Sequence, residues 1–137
     1  MSRRDRTAFA LAALLAGCCG SGDEASAYLR FKPGPTPDSL RRGEVIYNTY
    51  CISCHGRLGT GQGLGPPLLD SLYHPARLPD EAIYQAVERG VSQKHWHYGA
   101  MPKIQRVARA EVAEIIPYLR WLQGRVEPPA APASGGR

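Results

Sequence analysis

Several things are missing from this sequence, and each gap closes off a class of protein. No stretch alternates apolar and polar residues convincingly enough to read as a half-buried strand, which argues against a sheet-built fold. No internal repeat is visible, so a solenoid or propeller is excluded. No run of five or more basic residues occurs, so there is no nucleic-acid signal. The apolar stretch Phe9–Ala16 falls far short of the roughly 20 residues a spanning helix needs. Methionine is scarce too, standing only at positions 1 and 101. What remains is 137 residues, a length for one domain, with 12 prolines and 15 glycines that make it rich in loops.

The amino end has its own character. Ser2-Arg3-Arg4-Asp5-Arg6 is a basic start, Phe9–Ala16 is apolar, and small residues follow, which is the form of a secretory signal. Its last residues, Leu15-Ala16-Gly17-Cys18, resemble the bacterial lipobox. That resemblance implies cleavage before Cys18 and a lipidated Cys18 at the head of the mature chain, holding it to a membrane without a spanning helix. Seventeen Lys and Arg against twelve Asp and Glu give +5. Loss of Arg3, Arg4, Arg6 and Asp5 with the leader lowers this to +3. A mildly basic domain of this kind suits weak, salt-sensitive docking on acidic protein surfaces.

Composition divides the rest. Residues 1–17 read as the signal, and 18–37, rich in Gly, Ser, Pro and charge, as a flexible tether. Residues 38–125 read as the folded domain, and 126–137, opening on Glu127-Pro128-Pro129, as a disordered tail. A domain of about 88 residues lies near the low limit for a self-sufficient core, and it wants a staple or a large apolar cofactor at its centre. Three helices can be placed. The first runs from about Ser39 to Cys51, with Asp38 at the N-cap and Gly43, Ile46, Tyr47 and Tyr50 along one face. The second spans about Asp80 to Arg89, with Ile83, Tyr84 and Val87 inward and Gly90 as its stop. The third runs from about Arg109 to Gln123, where Ile115, Tyr118, Leu119 and Leu122 share a face and Gly124 ends it. Pro117 inside that helix is expected to cost the bond to the Ala113 carbonyl and to bend the helix. The expected class is all-α with long loops.

Cys51-Ile52-Ser53-Cys54-His55 carries the chemistry. Two thiols three positions apart can each add to one vinyl group of a haem, and the next residue then presents an imidazole to the iron. The same spacing serves a thioredoxin-type redox pair, which would need a βαβ setting that is absent here. It also serves zinc sites, which would need two more ligands where only scattered histidines remain. A structural disulfide would leave His55 without a role.

Over about Ser39 to Gln123 the chain resembles the class I cytochrome c family. Gly43 and Tyr47 match the small and aromatic residues of that family's N-terminal helix, and Ile115 and Tyr118 match their contact pair on the C-terminal helix. Cys51, Cys54, His55 and Gly56 match the haem-attachment motif. Gly65-Pro66-Pro67-Leu68 matches the loop in which a proline carbonyl, placed here on Pro66, accepts the Nδ1 proton of the proximal histidine. Gly99-Ala100-Met101-Pro102 matches the distal ligand loop. The resemblance therefore implies the class I cytochrome c fold, about three main helices and loops around one covalent haem c, with His55 and Met101 as iron ligands. Gln93-Lys94-His95-Trp96-His97-Tyr98 departs from a minimal family member. There Trp96 or Tyr98 is expected to donate to a haem propionate; of His95 and His97, which stand close enough to the Met loop to be rival ligands, one is expected to pack near a propionate and the other to face solvent.

The function this implies is electron carriage rather than catalysis, since two protein ligands fill the iron's axial positions. Arg57, Lys94, Lys103 and Arg106 would make a basic rim for acidic partners. The setting implied is a bacterial periplasm, between a quinol-oxidising complex or dehydrogenase and a terminal oxidase or reductase. The protein would act as a free carrier or as an accessory haem subunit of a larger oxidoreductase. A five-coordinate haem sensor or enzyme is a further alternative.

Overall fold

A computed structural model describes Tyr28 and residues 30–61, 63–95 and 97–126. Among these residues the chain is helical, with no named strand and a single β-bridge between Val91 and Met101. Four α-helices follow in order: α1 Arg41–Tyr50, α2 Ile52–His55, α3 Asp80–Arg89 and α4 Arg109–Gln123. No described helix is long and apolar enough to cross a membrane.

The expected second and third helices are α3 and α4, with the same ends. The first differs at its start. A 3-10 turn, Asp38–Leu40, precedes α1, and Asp38 caps no amide there. Its carboxylate instead accepts from Arg41 Nε at 2.6 Å, since an exposed guanidinium three residues on outcompetes a backbone donor. The short α2 is the helix that periodicity does not reveal, because one turn is too brief to repeat.

The core is the crossing of α1 and α4. Tyr47 and Tyr118 are fully buried there, their ring centroids 5.7 Å apart and tilted by 55°. Ile46, Ile115, Leu119 and Leu122 close around them, with Leu69 added from the loop before α3. Gly43 lets the backbones touch: a Cβ placed on it would run into the Glu114 carbonyl and stand 3.1 Å from Tyr118 Cβ. Only hydrogen fits between two helix axes this close. A second cluster, Val87, Val112 and Ile116, joins α3 to the first half of α4. Pro117 and Ala113 are both exposed, so the missing bond falls on the wet side and α4 runs through to Gln123.

The packed chain begins before residue 38. Tyr28 and Phe31 lie against the α1–α4 core, Pro33 is buried, and Arg125 Nη1 donates to the Pro33 carbonyl at 3.1 Å. Two aromatic side chains anchor a segment whose average composition reads as tether. The expected signal, Cys18, and the tail from residue 127 lie outside the described residues.

Candidate functional site

The end of α1 and the whole of α2 form one continuous right-handed path through Cys51. The amides of Cys54 and His55 both donate to the Cys51 carbonyl, at 3.2 and 2.9 Å, which puts the two thiols three positions apart on one turn with His55 directly after the second. Tyr47 fixes this turn to the core by donating its hydroxyl proton to the buried Gly56 carbonyl at 2.8 Å. Both cysteines are half-buried free thiols. Burial, and then the neighbouring Cys54, pushes the Cys51 thiol up to about 11. A thiol held in its neutral form is the opposite of the low-pKa thiolate that redox pairs and zinc sites use.

His55 is 8% exposed. Its Nδ1 lies 3.0 Å from the Pro66 carbonyl oxygen, and because a carbonyl only accepts, the Nδ1 carries the proton. Burial holds the ring's pKa below the usual histidine value, with the Pro66 bond partly opposing. The neutral ring therefore keeps its Nε2 lone pair for a metal. The approach of the Pro66 loop depends on Gly65, where a Cβ would stand 3.0 Å from the Cys54 carbonyl oxygen and 3.2 Å from His55 Nδ1. On the other side of this turn, the amide of Gly61 donates to the His55 carbonyl at 2.7 Å. Leu58, just beyond, takes the left-handed conformation at φ 59°, rare for a non-glycine residue, while its side chain packs on the core.

Met101 sits elsewhere, half-buried against the Val87–Val112–Ile116 cluster. Its backbone is pinned to the end of α3: Val91 N donates to Met101 O at 2.9 Å, Met101 N to Val91 O at 2.8 Å, and Ile104 N to Val87 O at 2.9 Å. Gly90 makes this possible by leaving α3 at φ 78°, with room for a Cβ closed off by the Met101 carbonyl. The structure thus gathers Cys51, Cys54, His55 and Pro66 into one unit and holds Met101 on a separate, rigid mount. Tyr98, His95 and His97 are exposed, and Trp96 lies outside the described residues. Arg57, Lys94, Lys103 and Arg106 are exposed.

The donor set decides what this arrangement can hold. Among the described residues no three His, Cys, Asp or Glu side chains come together. Paired free thiols, one oriented imidazole and one mounted thioether fit a porphyrin better than a bare ion. The matching family model spans residues 38–119, more than half of the chain, and is described as cytochrome c oxidase, cbb3-type, subunit III. The chain belongs to this cytochrome c family. No curated protein matches the sequence. For this cytochrome c, membership implies a covalently bound haem c and one-electron transfer rather than catalysis of a substrate reaction. Cys51 and Cys54 stand where the thioethers would form, with His55 next in the chain.

Two residues of the site's frame carried no motif. Arg120 and Gln123 on α4 reach the loop that follows Pro66. The available signal is Gln123 itself, a polar side chain four residues on from Leu119 along the apolar stripe, and 4% exposed in the fold.

Proposed function

We propose that this protein is a single-electron carrier with one haem c bound through Cys51 and Cys54 and ligated by His55 and Met101. The observation that carries the reading is the fixed His55 ring, whose Nδ1 proton is given to the Pro66 carbonyl at 3.0 Å next to two free thiols. That bond fixes the plane of the ring and raises its basicity toward iron. When bound, the haem supplies the one-electron couple. The protein's own residues hold the macrocycle by two thioethers, aim the imidazole and offer a soft sulfur that favours the ferrous state. The decisive experiment is acidified-acetone extraction of the purified mature protein. Pigment that stays with the polypeptide supports the reading, and an extractable pigment or a colourless protein refutes it. Replacing Met101 with Ala should abolish the far-red charge-transfer band of sulfur-ligated ferric haem.

The setting we infer is a bacterial periplasm, with Cys18 lipidated and the domain tethered to the membrane through the segment that follows it. Mass spectrometry of the mature amino terminus tests this, and an unmodified peptide starting beyond residue 19 would end it. The partners we infer are a quinol-oxidising complex or dehydrogenase as donor and an oxidase or reductase as acceptor. A second reading, a haem subunit resident in a larger oxidoreductase, draws support from the oxidase-subunit description of the matching family. Co-purification with a catalytic subunit separates it from a free carrier.

A further inference from the structure

The loop between Pro66 and α3 has no regular structure beyond one 3-10 turn, Ser71–Tyr73, yet three of its carbonyls, those of Leu68, Tyr73 and Leu78, accept from two side chains of α4. Arg120 donates through Nη1 to Tyr73 O at 2.7 Å and to Gln123 Oε1 at 2.8 Å. Through Nη2 it reaches Leu78 O at 2.7 Å, and through Nε it reaches Asp80 Oδ1 at 2.9 Å. Its side chain is only 16% exposed. Gln123, oriented by the bond it accepts from Arg120, donates through Nε2 to Leu68 O at 2.8 Å and Tyr73 O at 3.0 Å. A planar guanidinium with five donors can serve four acceptors at fixed angles, and Lys with three rotating donors cannot.

The segment held this way starts two residues after the carbonyl that receives His55. Leu68 is bonded through its oxygen to Gln123, and Leu69 is 1% exposed in the α1–α4 core with its amide on Gly59 O at 3.3 Å. On the near side, Gly65 rests on the Cys54 carbonyl and the His55 ring. Pro66 therefore spans two fixed points, and the far one is made by Leu69 in the core together with the bonds from Arg120 and Gln123. With those donors removed, the carbonyls of Leu68, Tyr73 and Leu78 lose their partners, and the cheapest relief is for the loop to swing out toward water.

We propose that Arg120 and Gln123 are positioning residues for the proximal ligand: through the Leu68–Leu78 loop they hold the Pro66 carbonyl on the His55 Nδ1 proton and so set the electron-donating strength of the imidazole. This rests on the haem reading above. The test uses the full-length, haem-loaded protein and three variants: Arg120→Lys, Gln123→Leu and, as a control, Arg109→Ala. Arg109 is another α4 arginine with several partners, bonded to Glu88 at 2.8 Å and Glu81 at 2.7 Å and stacked on Tyr84, all three of them on α3 and none in the Pro66 loop. Two quantities report on the ligand rather than on stability: the exchange rate of the paramagnetically shifted His55 Nδ1 proton, and the midpoint potential. Arg120→Lys and Gln123→Leu should speed that exchange by about tenfold or more, as expected for a loop that opens locally. They should also raise the potential, because a less basic imidazole stabilises ferric iron less. Arg109→Ala should lower the melting temperature and leave both quantities at the wild-type value. If the Arg120 and Gln123 variants behave like Arg109→Ala, the proposal is overturned and the clamp is structural only. A wild-type protein without covalent haem would instead bring down the underlying reading, and this proposal with it.

Discussion

Replacing Gly43 with Ala puts a methyl group where α1 and α4 have no room for one. The new Cβ would collide with the Glu114 carbonyl oxygen, stand 2.9 Å from the Glu114 carbonyl carbon and 3.1 Å from Tyr118 Cβ. The obstacles are mostly backbone of the partner helix and cannot rotate away, so the helix axes must separate. Overpacking a well-fitted core usually costs about 1–3 kcal/mol, and a backbone collision belongs at or above the upper end. Ala gains back about 1 kcal/mol over Gly in helix propensity. The net loss should be about 2–3 kcal/mol, a large share of the stability of a domain this size. At about 4–8 °C per kcal/mol, the melting temperature should fall by roughly 10–20 °C. Thermal unfolding followed by far-ultraviolet circular dichroism measures this, with Gly124→Ala as the comparison. At Gly124 a Cβ meets nothing closer than 3.5 Å and φ is −70°, so that variant should melt within about 2 °C of wild type. A Gly43→Ala protein that melts with Gly124→Ala would refute the close-crossing argument.

The two core tyrosines should part company on losing their hydroxyls. Tyr47→Phe strands the buried Gly56 carbonyl and should cost about 1–3 kcal/mol in urea unfolding, whereas the Tyr118 hydroxyl has no partner and Tyr118→Phe should be neutral or stabilising. Burial pushes the Tyr118 phenol up to about 12 and that of Tyr47 higher still. Above the ordinary value of about 10 the unfolded chain releases protons that the folded one keeps, so stability should fall as pH rises from 10, by about 1.4 kcal/mol per pH unit for each tyrosine. Tyr118→Phe should roughly halve that slope, and a slope unchanged by it would contradict the assignment. Gly90→Ala, strained at φ 78° and crowding Met101 O, should weaken the far-red band of the ferric protein without loss of covalent haem. Reduction by an acidic physiological donor should slow as salt rises and shift when Lys94 and Lys103 are made Ala; insensitivity to ionic strength would remove the basic rim from the account.

Much of this could be read from the residues in order. The ends of α3 and α4 follow from Asp80, Gly90, Arg109 and Gln123, because each helix has an apolar stripe long enough to show its period and a residue that ends it. The Cys51–His55 spacing points to its own chemistry, since attaching a haem through two thiols would be a local geometry. The parts that stayed hidden are local structure without periodicity and contacts across distance. Asp38 reads as a cap until Arg41 takes its carboxylate. The α2 turn is too short to repeat, and Leu58 gives no sign of its left-handed backbone. Tyr28 and Phe31 are two apolar residues in a polar segment, and only the fold shows that they find the core. Arg120 reads as an ordinary surface charge because its partners, Tyr73, Leu78 and Asp80, are some forty residues away and two of them are main-chain oxygens.

The bridge between Val91 and Met101 has an architectural consequence. Every described residue from Ser92 to Ala100 is exposed, and the strap they form is cinched at its base by two reciprocal hydrogen bonds. The sulfur-bearing residue is thus fastened below the strap and does not depend on what the strap contains. Residues of almost any chemistry can be exchanged, added or removed above that fastening, so the protein can be fitted to a new neighbour while the seat of Met101 stays as it is.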